Sequence, residues 1–230
     1  MTQALSVHYD VSADGRTVAE AEVDDIGAAQ ELIAAAVVGD CELAWAHSAT
    51  DLSSLGFAGQ PGYRRLIGQA RPGPLPHGVT ELADYEDTAE LCAAAYLGQW
   101  GHKSPDKWPI DEFAGSTVLG LRRDGRIVGI CRIDPSAGQI DAPGLLLGQR
   151  DQAGYRLLLT AALSSVPVGE VTVDSWGDGP DRVRVCGELG LTTDEYCPGW
   201  ELDLASAVTL GDGDDPGQAG QRLRWRQRIR

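Results

Sequence analysis

The chain of 230 residues has two lysines (Lys103 and Lys107), one methionine and two phenylalanines, and no apolar run long enough to make a membrane-spanning helix of about 18 residues. Its opening, MTQALSVHYD, holds neither a basic segment nor an apolar one. That excludes a recognisable secretory leader and gives a cytoplasmic expectation. The five cysteines, Cys41, Cys92, Cys131, Cys186 and Cys197, are odd in number and contain no CxxC pair. Scattered thiols of this kind point to reduced side chains and away from a disulfide framework or a zinc site, so no metal is expected.

Positive charge is scarce and unevenly placed. The formal net charge is -15, yet the last ten residues, QRLRWRQRIR, carry five arginines and no acid. Residues 1–220 are therefore near -20. Such a body repels nucleic acid and attracts small cations or basic peptides. The Arg-rich tail has two candidate partners, an anionic molecule or the acidic surface of its own chain.

What is present is a repeat. SVHYDVSADGRTVAEAEVD (6–24) and STVLGLRRDGRIVGICRID (116–134) align without a gap. Each alternates apolar and polar residues around Asp-Gly-Arg, which predicts a hairpin with a tight turn. Residues 26–38 match 152–166 as an amphipathic helix, and CELAWAHS matches VGEVTVDSW as a strand. The second copy has about 24 extra residues, mostly between its hairpin and its long helix. RPGPLPHG (71–78) reads as a linker, because its prolines and glycines oppose regular structure. The expected organisation is a short copy over 1–70, a complete one over 79–205, and a tail over 206–230.

The extra segment contains GLLLGQRDQAGYRLLL (144–159): a strand, a polar turn, then a helix start. Backbone N–H groups at such a helix start form a ready site for phosphate. The full second copy reads helix (84–97), hairpin (116–134), strand (140–147), helix (152–165), strand (169–175), helix (180–189), strand (194–204).

This order, with the turn Gln149-Arg150-Asp151-Gln152-Ala153-Gly154 and the segment GPDRVRVCGELGL (179–191), resembles the GNAT superfamily of acyl-CoA-dependent N-acyltransferases. In particular it resembles tandem members whose N-terminal copy is degenerate. The departures are Gln152 where the family has a first Gly, Gly179 for Asn, and Cys186 for Tyr. The resemblance implies an α/β fold with a mixed sheet and transfer from an acyl-CoA, acetyl-CoA in the first instance, to a small cationic amine. It implies cofactor contacts from Leu145, Leu146 and Leu147, from Gln149 through Arg156 with Tyr155 among them, and from Gly179. Asp141 is the candidate base and Cys186 the candidate acid. Trp100, His102, Asp174 and Trp176 are candidates for holding the acceptor. The competing reading is a non-catalytic tandem GNAT-like protein that binds acyl-CoA or serves as a scaffold.

Overall fold

The structure is a computed structural model that describes residues 5–12, 14–82, 91–92, 94–96, 115–167 and 169–204. Trp100, His102 and the tail over 206–230 lie outside the described residues. So does most of the helix expected at 84–97, although residues 91–92 and 94–96 are helical. No helix among the described residues is long and apolar enough to cross a membrane.

Two compact units emerge, one from residues 1–60 with 198–230 and the other from 61–197. This division differs from the one drawn on the sequence at residues 70 and 79. The strand β4 (Ala58–Gln69) pairs antiparallel with β10 (Glu170–Trp176) over Tyr63–Gln69, which ties most of it to the later residues. In return, Gly199–Asp203 of β11 (Thr192–Asp203) pairs with the early strand β3 (Leu43–His47).

In the first unit, β1 (His8–Val11) and β2 (Thr17–Glu22) form the expected hairpin, and β2 runs parallel to β3 from Val18↔Leu43 to Glu22↔His47. Helix α1 (Ile26–Val38) follows β2 after three residues, and Asp25 caps it by accepting from the Ala28 N–H at 2.8 Å. Its buried face, Ala29, Leu32 and Ala36, lies on Ala19, Ala21, Ala44 and Ala46. Small residues on both sides let helix and sheet approach closely.

In the second unit the strands are ordered β11, β4, β10, β8 (Gln139–Asp141), β7 (Arg126–Asp134), β6 (Thr117–Arg123), β5 (Val79–Leu82), with β9 (Gly144–Leu145) beside β7. The β6–β7 turn holds Asp124 at φ 49 and Gly125 at φ 77. Both left-handed positions are what a two-residue turn of right-twisted strands requires. Helix α2 (Gln152–Ser165) packs Leu158, Leu159 and Ala162 over Leu119, Ile133, Val171 and Val173. Helix α3 (Pro180–Glu188) adds Val185 and Cys186 to the same core.

The strand expected over 140–147 is broken into β8 and β9 at Ala142-Pro143. Proline has no N–H to donate to a ladder and interrupts pairing at that point.

Candidate functional site

That break opens the site. β8 runs parallel to β10 only from Thr172↔Gln139 to Asp174↔Asp141, and the Ala142 N–H closes the ladder on the Asp174 carbonyl at 2.8 Å. Beyond it β10 continues with β4 (Trp176↔Tyr63), while β9 stays with β7 (Gly129↔Leu145). The two strands have parted. The Leu146 N–H donates to Val128 O at 2.9 Å, so Leu145, one residue back, turns its own N–H and C=O away from β7. They face the gap that β10 has left.

Carboxylates flank this gap. Asp141 and Asp174 are register partners on adjacent strands. Asp141 pairs with Arg132 at 3.3 Å and lies next to Cys92 and Tyr96. Burial, and then the charge of Asp141, pushes the Cys92 thiol up to about 12 and raises the Tyr96 phenol. Asp174 accepts from the Tyr63 hydroxyl at 2.5 Å and from Gln139 Nε2 at 2.8 Å, with Arg65 Nε at 3.7 Å. The Tyr63 ring lies 4.6 Å from that of Trp176, tilted at 47°, and Arg65 also reaches Glu195 at 3.1 Å. Burial, then the hydrogen bond to Asp174, pushes the Tyr63 phenol up to about 12, so it stays a donor at neutral pH.

On the other side of Leu145 lies the turn into α2. Leu145 is buried and Leu147 is 64% exposed. Arg150 Nε donates to Leu145 O at 3.2 Å. The Asp151 carboxylate caps α2 by accepting from the Gly154 N–H at 2.6 Å, and Arg123 grips it at 2.6 and 3.0 Å. That guanidinium compensates the charge a bare carboxylate would present to an anion. Gln152 in place of the expected glycine is accommodated, because it is not among the described residues with positive φ. Gly154 serves packing more than ligand approach. A Cβ there would meet Arg123 Nη2 at 2.9 Å and both Leu121 and Leu145 at 3.1 Å. A second cation, Arg182 of α3, stands near enough to Arg150 that its charge, after burial, lowers the Arg150 pKa.

No protein-family model and no curated protein sequence matches the chain. Solved structures do. A functionally unknown conserved protein of Staphylococcus epidermidis has TM-score 0.51 at 10% identity, covering 88% of this chain and 93% of its own. A provisionally named acetyltransferase of Pyrococcus horikoshii has TM-score 0.50 at 12% identity, covering 86% and 68%. A GCN5-related N-acetyltransferase of Kribbella flavida gives 0.46 at 18%, covering 85% and 88%. The chain shares the fold of the first two of these structures.

Within this fold, two sequence-based candidates change role. Tyr155 is fully buried and does not face the turn; its hydroxyl donates to Asp178 at 2.7 Å. Cys186 is 1% exposed, with Sγ 3.6 Å from that same hydroxyl. Burial pushes its thiol up to about 11, so it is neither an accessible acid nor a thiolate nucleophile. Native protein is expected to leave Cys186 unlabelled by iodoacetamide at neutral pH, and peptide mapping after labelling checks it. Gly179 is the N-cap of α3 with open space around its Cα. Arg156 lies on the exposed side of α2, paired with Glu188.

The sequence reading missed Tyr63, Arg65 and Arg182. The alternation in GYRRLIG marks a strand, but only its pairing with β10 brings Tyr63 and Arg65 to Asp174 and Trp176. Arg182 carries a local signal, because it lies four residues after Asp178 and at helical spacing the two form an ion pair at 2.7 Å.

Proposed function

We propose that the chain is an acyl-CoA-dependent N-acyltransferase for a small cationic amine, with its site in the unit formed by residues 61–197. The observation that carries this reading is the parting of β8 and β10 after Asp141 and Asp174. It gives one gap a backbone N–H on one side and two carboxylates at its closed end.

The donor, acetyl-CoA in the simplest case, supplies an activated thioester, and the residues present fit it. The Gly154 N–H is taken by Asp151, so the pyrophosphate would be held by the N–H groups left in the turn together with the positive charge of Arg150 and Arg182. Leu145 N–H is oriented to hold a carbonyl oxygen as negative charge develops on it. Asp174 and Trp176 hold the ammonium of the acceptor, through charge and through the ring face. Asp141 takes the proton, directly or through a water, which frees the nitrogen lone pair for attack.

The test is calorimetric titration of acetyl-CoA into the wild type and into Arg150→Ala, followed by a thiol-release assay with spermidine, an aminoglycoside and basic amino-acid amides. Losing one charge-assisted contact of about 1.5 kcal/mol should weaken binding about tenfold. Failure of the wild type to bind at millimolar acetyl-CoA would overturn the reading.

A further inference from the structure

The outer edge of the first unit presents a surface that acyl transfer does not use. Among the described residues β1 ends the sheet, with β2 on one side and no strand on the other. Its register with β2 runs unbroken from His8↔Glu20 to Val11↔Thr17. The Ser12 N–H donates to Arg16 O at 2.8 Å, which sets the alternation of the ladder. His8 and Asp10 therefore turn their backbone groups to β2, and Val7, Tyr9 and Val11 turn theirs outward. On that open edge the Val11 N–H binds the carboxylate of its neighbour Asp10 at 2.7 Å. Tyr9, 59% exposed, and Val11 share the α1 side of the sheet, since Tyr9 is the register partner of Ala19. The Tyr9 ring lies against the end of α1, where a Cβ on Gly39 would come within 2.7 Å of its Cε1. Val37 and Val38 precede that glycine and are exposed as well. Four of the seven exposed large hydrophobics among the described residues thus gather at this edge.

We infer that a second copy of this chain pairs along β1, antiparallel and centred on Tyr9, so that the sheet continues through a two-fold axis. An open edge of unpaired N–H and C=O groups is a template for such a strand. β1 has neither the lysine nor the proline that commonly guards an edge. What selects a second copy over another strand is the pattern of residues 7–11, Val-His-Tyr-Asp-Val. Reversed and laid beside itself, this stretch sets Val7 opposite Val11, His8 opposite Asp10 and Tyr9 opposite itself. The outward-turned residues Val7, Tyr9 and Val11 are the ones this register joins by hydrogen bonds, so backbone and side chains demand the same centre. His8 and Asp10 fall at the alternate sites, where opposed side chains stand closer. An imidazole faces a carboxylate there, twice per dimer. The axis is normal to the sheet, which keeps both copies of α1 on one face. Tyr9, Val11 and the valines ending α1 then surround the axis with their equivalents.

The experiment is sedimentation equilibrium of the full chain, wild type and charge variants, at low salt. The wild type should sediment as a dimer at about 0.1 mM. His8→Asp sets carboxylate against carboxylate at two places per dimer and should weaken association about tenfold. Combining His8→Asp with Asp10→His restores both pairs in swapped order and should recover the wild-type constant. Cross-linking reads the register. Tyr9→Cys should form a disulfide-linked dimer under mild oxidation, since opposed Cα atoms lie about 5.5 Å apart, and Val11→Cys should not. This pair carries the test should a charge variant fail to fold. A single chain at about 0.1 mM would overturn the inference. So would a dimer that His8→Asp leaves unchanged, one that the swapped variant does not restore, or equal cross-linking at both positions.

Discussion

Asp141→Asn is expected to lower kcat about a hundredfold, while Asp174→Asn should act mainly on KM for the amine, raising it about tenfold. The first figure is the ordinary contribution of a positioned general base. The second is the loss of one charged hydrogen bond to the substrate. The two carboxylates are register partners on neighbouring strands but differ in their surroundings. Asp174 is already bound by Tyr63 and Gln139 and fixed in place, as suits a group that holds an ammonium. Asp141 pairs with Arg132 at 3.3 Å in a largely buried setting beside Tyr96. Asparagine keeps the shape at both positions, so folding is preserved better than with alanine. Steady-state kinetics with the amine varied at saturating donor separates the two effects. A pH profile adds a readout that a merely structural change would not move: Asp141→Asn should lose the acidic limb, and Asp174→Asn should keep it. Equal effects on kcat from both substitutions would contradict the division of roles.

Much of this molecule was legible from the residues alone because the signals were local. Asp124-Gly125 demanded a tight hairpin, and the helices expected from residues 26 and 152 begin at Ile26 and Gln152. The order of the elements in the second copy was enough to suggest the GNAT fold. What stayed hidden depended on pairing across long separations. Tyr63 reaches Asp174 across 111 residues of chain, and nothing in GYRRLIG indicates which strand it will join. The early reading kept β4 with the first copy because it follows that copy in sequence. Proline at 143 was visible, yet the run GLLL beside it read as one strand, and only the ladder shows pairing lapsing there. Cys186 was assigned from its alignment position, whereas burial decides its chemistry.

Asp178→Ala is expected to destabilise the protein by about 3–5 kcal/mol, the usual consequence of removing one partner of a buried ion pair. Its carboxylate is 3% exposed and accepts from Tyr155 Oη, Ser175 Oγ and Arg182 Nη1, each at 2.7 Å. Alanine would leave a fully buried phenol, a buried serine hydroxyl and a largely buried guanidinium without that acceptor. Asp178→Asn keeps one acceptor oxygen but no charge, and should cost about 1.5–3 kcal/mol. Tyr155→Phe removes a single donor and should cost about 1 kcal/mol. Urea unfolding measures all three as shifts in midpoint at constant slope. The order Ala, then Asn, then Phe is the signature of a shared acceptor, and three equal shifts would deny it. The consequence extends to the site. Gly179 offers no side-chain cap to α3, so Asp178 fixes the first turn of that helix through Arg182. With Asp178 neutral, Arg182 is no longer held beside Arg150, and the paired positive charge at the turn relaxes. Asp178→Asn should therefore weaken acetyl-CoA binding by a factor comparable to that of Arg150→Ala, although Asp178 itself is buried away from the ligand. Unchanged affinity in a destabilised Asp178→Asn protein would confine the network to stability.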